Sequence, residues 1–372
     1  MYDAIVVGAR CAGSPTAMLL ARKGYNVLLV DKSSFPSDIM STHYIHPPGV
    51  ARMERWGVLD SVLETNAPLI TEITSYMGEP PVAAPPPPPD APPMKALCPR
   101  RTVLDKVLVD AAVEAGAELR EGFSVKGLIK DGDRVTGIRG DDVTEEAKIV
   151  IGADGMRSIV AKEVEAPEYN TIPTLSFGYY AYWSNVPLEG AELYMLDGNG
   201  ILAFPTNDEM SCVAVGGRID DFHEFREDIE GNYMKILERA GDLGERVKAG
   251  KRETKFVGTA DQPNFFRKPY GPGWALVGDA GYHRDFGTGL GITDAFRDLE
   301  LLVDAIDEGF SGKRPIDEAM ADYEAKRNEI AMPLYEFTTN LARMEEMPPP
   351  DLFVSFGEAM QAMMPETEGA QL

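Results

Sequence analysis

Three short stretches of this chain combine glycine with aspartate directly after an apolar run. The first is "VVGARCAGSPTAMLLARKGYNVLLVDK", residues 6–32, in which Gly8 and Gly13 flank a turn and Asp31 ends the next apolar segment. The second is "KIVIGADGMRS", with Asp154, and the third is "GWALVGDAGYH", with Asp279. Glycine lets a backbone approach a ligand closely, and a carboxylate at the carboxyl end of a strand accepts hydrogen bonds from hydroxyl groups. Open parallel sheets bind their ligands along that edge. A site for one nucleotide needs only the first loop, whereas a cofactor lying lengthwise along the edge accounts for all three.

In the first loop, Gly8 permits the tight turn and Gly13 the close packing of helix on strand, with Ala12 just before it. Asp31, followed by Lys32, stands where a carboxylate reaches an adenosine ribose. Arg10 occupies the place of the middle glycine. Its Cβ crowds the phosphate approach, while its guanidinium offers a fork suited to phosphate or to a developing anion. A degraded turn and a working nucleotide site both remain open on this stretch alone.

A length of 372 residues predicts two or three structural units around a large core. Thirty-six basic against 60 acidic residues leave a net charge of −24, which opposes strong binding to nucleic acid or to an anionic membrane. The absence of a long apolar run, and a first strand starting within a few residues of Met1, lead to the expectation of a cytoplasmic protein without a stable membrane anchor. Cys11, Cys98 and Cys212 are isolated, so neither a disulfide framework nor a metal site is expected, and Cys11 reads as a small buried filler. The histidines are too scattered to form a metal centre.

The remaining pattern alternates between two regimes. Residues 33–46 read as a polar, accessible loop carrying His43 and His46, followed by a helix from about Pro48. "RRTVLDKVLVDAAVEAG" reads as an amphipathic helix, and the Asp-Gly turn in "GLIKDGDRVTGIRG" as a hairpin. Residues 171–264 carry turn-separated, aromatic-rich runs, predicting an antiparallel sheet with one helix near 224–240. Tyr179, Tyr180, Tyr182 and Trp183 then fall on alternating faces of one strand, and an aromatic-walled pocket competes with plain sheet packing. A strand over Trp274–Val277, a glycine-rich loop, a helix from about Gly291 and another from roughly Pro315 to Met344 restore the parallel regime. The proline-rich stretch within 69–98 predicts an extended insertion. Met360, Met363 and Met364 mark a short tail helix that packs as a flap or at a dimer contact. The expected fold is mixed α/β: a Rossmann-like cofactor domain (1–70, 99–170, 265–340) interleaved with an antiparallel substrate domain (71–98, 171–264), then a helical tail (341–372).

Taken together, "GARCAG", the stretch Arg101–Asp105 ("RTVLD"), "GADGMRS" and "GDAGYH" resemble the flavoprotein monooxygenase superfamily of the aromatic-hydroxylase type, whose relatives include geranylgeranyl reductases and flavin-dependent halogenases. The resemblance spans nearly all of residues 1–340. It implies FAD stretched along the sheet, with Asp31 on the adenosine ribose, Val125 near adenine, Gly8 and Gly13 at the pyrophosphate, and Asp279 on the ribityl side. Ala12, Lys32, Arg101 and Asp154 are counted among the cofactor contacts, and Arg10 is expected to cover the cofactor near its pyrophosphate or flavin end. Gly289, Leu290 and Gly291 open a helix whose unpaired amides stabilise negative charge on a reduced ring. His43 and His283 are the candidates for proton transfer, each with a structural role as the competing reading. The implied activity is NAD(P)H- and O2-dependent oxygenation of an apolar or aromatic small molecule. A double-bond reductase is the alternative, with a halogenase, which lacks its "W-x-W-x-I-P" segment here, and a non-catalytic flavin-binding protein further behind. Three departures stand out: Arg10 in place of glycine, Ala161 in place of an arginine, and "FGTGLG" in place of "P-x-x-G-x-G".

Overall fold

The computed structural model describes residues 1–84, 94–345 and 348–365. The strand Tyr2–Val7 lies at the centre of a parallel sheet, between Val27–Val30 and Thr144–Gly152. Glu118–Arg120 extends the sheet on one side and Trp274–Leu276 on the other, both parallel. Ala4–Val7 and Val27–Val30 are wholly apolar because both faces are covered, one by helices and the other by the hairpin Gly127–Asp131/Arg134–Arg139 with the short helix Ile159–Glu163, and burial on both faces is the condition parallel strands require. The helix Gly13–Arg22 packs there with Arg101–Glu114 and Gly291–Phe310, around a core containing Ala17, Leu29, Leu104, Ile151 and Phe296.

The second layer is a largely antiparallel sheet, ordered Lys251–Arg252, Ser176–Ser184, Ser211–Arg218, Asn199–Pro205, Ala191–Leu196, Ile73–Met77 and Val82–Ala83. Its pleat sorts the aromatic residues. Phe177, Ala181 and Trp183 face a helical cover, with Tyr179 packed beside them, while Tyr180 and Tyr182 face back toward Tyr44 and Cys98. The single helix expected near 224–240 is two helices, Phe222–Glu227 and Ile229–Glu238, and a third, Asp242–Ala249, follows. Asp228 breaks the first from the second with φ −144° and caps the second through its carboxylate, and Gly241, at φ +63°, precedes the third.

Other boundaries also shift. The late helix runs Ile316–Leu341, shorter than expected, and Met344 sits beyond it in a left-handed turn at φ +50°. The strand before the third loop stops at Leu276, and Val277 leads into the turn at Gly278. The loop expected to be polar and accessible is instead buried at His43, Tyr44 and Ile45, because Ile45 bridges to Leu97. The tail helix is Pro350–Ala362; Met363 just after it is fully buried against Leu290 and Leu334. The expected proline-rich extension at 85–93 lies outside the described residues. Among the described residues, no helix is long and apolar enough to cross a membrane.

Candidate cofactor and substrate site

The three loops meet at the carboxyl edge of the parallel sheet, and each is shaped by its glycines. A Cβ on Gly13 would lie 1.7 Å from the Gly8 carbonyl oxygen, and one on Gly8 would lie 2.5 Å from the Ala153 carbonyl oxygen. Gly8 also adopts φ +102°, closed to ordinary side chains. A Cβ on Gly278 would come within 2.8 Å of the Ala12 side chain, so the first and third loops touch. These contacts leave a cavity of about 1170 Å³ that runs along the edge and then under the antiparallel sheet.

Most of the expected cofactor residues line it: Gly8, Arg10, Ala12, Asp31, Lys32 and Arg101 from the early chain, and Val125, Asp154, Asp279, Gly289 and Gly291 from the later loops. Gly13 and Leu290 do not. Gly13 lies beneath the turn it permits, and Leu290 points away into the contact with the tail helix. The Asp31 carboxylate accepts from the Ala9 and Ser33 amides at 2.7 Å each, which holds it at the end of its strand. Asp154 accepts from the Ile159 amide at 2.7 Å, while its second oxygen is buried without a protein partner. Burial raises its pKa. Asp279, in contrast, is exposed within the cavity.

Arg10 is not a free arm over this groove. Its Nη1 lies 2.5 Å from Asp105 Oδ2, and its Nη2 donates to Ser37 Oγ at 2.9 Å. Asp105 is fully buried and also accepts from Arg101 Nε and Nη2, at 3.0 and 2.9 Å. Cys11 completes the cluster with its thiol 3.4 Å from the same carboxylate; burial pushes its pKa up, away from thiolate chemistry. The side chain that disrupts the glycine pattern therefore ties the nucleotide loop to the 33–42 segment while still lining the cavity.

The two candidate histidines part company. His283 lines the cavity, with Nδ1 held against the Pro263 carbonyl and its ring stacked on Phe265. His43 does not line it. It is 1% exposed, Nδ1 lies 3.2 Å from the Cys98 carbonyl and Nε2 2.9 Å from the Tyr182 hydroxyl. Burial pushes its pKa down to about 3, so near neutrality it is an uncharged structural link between the two layers.

Several cavity residues carry no sequence motif. Ser41 and Thr42 reach it from the segment pinned by Arg10. Arg284 lines it while donating to Asp294 at 2.6 Å, and Asp294 in turn accepts from Arg297 at 2.9 Å, an internal charge chain at the start of the Gly291–Phe310 helix. A helix-start pattern gives no sign of such pairing, since Asp294 alone reads as a first-turn acid. Glycines on three adjacent strands also face the cavity; in sequence each looks like a strand irregularity.

Comparison with known proteins agrees with this geometry. The chain is 30% identical over 178 residues to the probable electron transfer flavoprotein-quinone oxidoreductase YdiS of Escherichia coli, covering 44% of this chain and 38% of that protein. The chain thus matches well under half the length of that relative. It is 24% identical over 349 residues to the digeranylgeranylglycerophospholipid reductase of Methanocella arvoryzae, covering 88% of this chain and 83% of that one. Its fold matches that of pqsL, a probable FAD-dependent monooxygenase from Pseudomonas aeruginosa, with a TM-score of 0.82 at 19% identity over 97% of this chain and 99% of that one. Residues 1–338 match the family model described as FAD binding domain, and the chain belongs to that family of FAD-binding proteins.

Proposed function

We propose that this chain is an FAD-dependent oxidoreductase acting as a monooxygenase, with NAD(P)H as a transient reductant and O2 as co-substrate, on an apolar or aromatic small molecule. The observation that carries this reading is the continuity of one cavity from the three-loop groove to the underside of the antiparallel sheet, where Tyr180, Leu202 and Ala214 make an apolar wall. The residues present fit FAD. The Gly8–Gly13 turn leaves bare backbone that a pyrophosphate could approach, and the Asp31 and Asp279 carboxylates on the cavity wall offer acceptors for ribose and ribityl hydroxyls.

FAD bound there supplies hydride acceptance and the activation of O2; the protein supplies orientation, electrostatics and exclusion of water. Asp31 and Asp279 would hold hydroxyl groups of the cofactor through their carboxylates. The start of the helix Gly291–Phe310, with Gly289 at φ +63° before it, turns unpaired amides toward the cavity and favours negative charge beside them. His283, if it donates through Nδ1 to Pro263, retains Nε2 as an acceptor for a substrate proton. The antiparallel sheet closes the far side against solvent.

A double-bond reductase is the second reading, favoured by the archaeal reductase that aligns over 83% of its own length. The deciding experiment loads the protein with FAD and follows NADPH and NADH oxidation together with O2 uptake, then analyses products formed under 18O2. Label in an organic product supports the monooxygenase. Substrate saturation that proceeds without O2 replaces it with the reductase, and failure to take up FAD overturns both.

A further inference from the structure

Under the antiparallel sheet, three neighbouring strands bring glycines into one row. Gly178 is paired with Gly216, and Gly216 with Gly200. The row continues into Met195 and then Met77 on the next two strands. At the other end, a Cβ on Gly178 would fall 2.5 Å from the ring of Phe286, in the turn Phe286–Thr288. Strands lie about 4.8 Å apart, so the glycine row spans roughly 10 Å, with Phe286 filling its Gly178 end and the trench over Gly216 and Gly200 running away from that turn. The parallel row two residues along, Tyr180, Ala214, Leu202 and Leu193, forms one wall.

The protein's own packing accounts for only part of this row. Gly178 makes room for Phe286, and a Cβ on Gly216 would come within 3.2 Å of the Phe177 carbonyl. Gly200 has no such reason: its nearest would-be neighbour is Met344 Cε at 3.9 Å, an ordinary contact. Glycine inside a strand weakens it, and its presence without a packing need marks close approach by something else. What lies over the trench is Met344, whose Cε also stands 3.6 Å from the position of a Gly216 Cβ. Met344 reaches it from a left-handed turn, φ +50°, just past the helix Ile316–Leu341, and lines the cavity together with Phe286 and Met195.

We infer that the trench over Gly216 and Gly200 seats the apolar tail of an elongated substrate whose reacting end lies by Phe286, and that Met344 sets the length of tail admitted. This rests on the reading of an FAD enzyme with an apolar substrate. With Met344 in place the chamber takes a ring with a short substituent. Without it, the trench runs on to Met195 and to Met77, which is 37% exposed at the rim.

The test uses FAD-loaded protein titrated with 4-ethylphenol, 4-butylphenol and 4-octylphenol, read by perturbation of the visible flavin spectrum. FAD uptake is scored first and by itself, so that its failure overturns the proposed function before any phenol is added. Each methylene newly buried should tighten binding about four-fold, the equivalent of about 0.8 kcal/mol. In the native protein the gain should stop between the ethyl and octyl members. In Met344→Ala it should continue through octyl, and adding Gly200→Leu to that variant should bring the limit back. The same limit in the native protein and Met344→Ala, or no effect of Gly200→Leu, overturns the inference. Spectra indifferent to all three phenols overturn it together with the apolar-substrate reading, while leaving FAD binding intact.

Discussion

Arg10 and Asp105, 95 residues apart in sequence, form an ion pair of 2.5 Å at the mouth of the nucleotide loop, and the carboxylate in it is fully buried. The pair connects three parts of the chain, because Arg10 also holds Ser37 and Asp105 also holds Arg101. Arg10→Gly restores the usual glycine pattern but leaves Asp105 with one cation fewer. The variant should lose about 1.5–3 kcal/mol of stability, the worth of a charge-assisted hydrogen bond, in urea unfolding without FAD. FAD affinity should fall as well, since the 33–42 segment loses its anchor. A variant with unchanged urea midpoint and tighter FAD binding would show that steric relief outweighs the tie.

Asp279 reaches the cavity unencumbered, so its contribution is to ligand binding and not to the fold. Asp279→Ala should weaken FAD binding by about 0.5–1.5 kcal/mol, the net value of one hydrogen bond, in calorimetric titration. Its unfolding curve without FAD should overlay that of the native protein. Native-like affinity would remove Asp279 from the contact set.

Two glycine substitutions should have opposite signs. Gly13→Ala places a methyl 1.7 Å from a carbonyl oxygen, which only movement of the loop can relieve, so FAD binding should vanish and expression as folded protein should drop. Gly357→Ala lies in the exposed tail helix with nothing within 4 Å of the new methyl. It should raise stability by about 0.5–1 kcal/mol through helix propensity. Circular dichroism melts of the two variants check both.

Acid should unfold this protein partly through His43, which is buried, and His46, which is half-buried. Burial pushes His43 down to about 3 and His46 to about 4, both below the ordinary value of 6.5. Between those values the unfolded chain binds more protons than the folded one, so stability is complete above pH 6.5 and declines as pH falls toward 4. From pH 6.5 to pH 5 each histidine should cost on the order of 2 kcal/mol. Urea unfolding of the native protein and of His43→Asn across that range measures the effect: the variant should be less stable at pH 7 but show a shallower loss on acidification.

The sequence by itself determined the cofactor edge. Apolar runs flanked by glycine define parallel strands and tight turns through local sterics, so Gly8, Gly13, Asp31, Asp154 and Asp279 fall at strand ends and the turns after them on sequence alone. Helix starts such as Gly291 were equally local. Tertiary structure decided whatever depends on partners distant in sequence. His43 sits in a stretch that reads as polar loop, and only the pairing of Ile45 with Leu97 and the Tyr182 hydroxyl make it a buried link. Arg10 reads as an arm toward phosphate until Asp105, on the helix Arg101–Glu114, claims it. The glycine trench is invisible in one dimension because strand register, which aligns Gly178, Gly216 and Gly200, is set by long-range pairing that no short window of sequence contains.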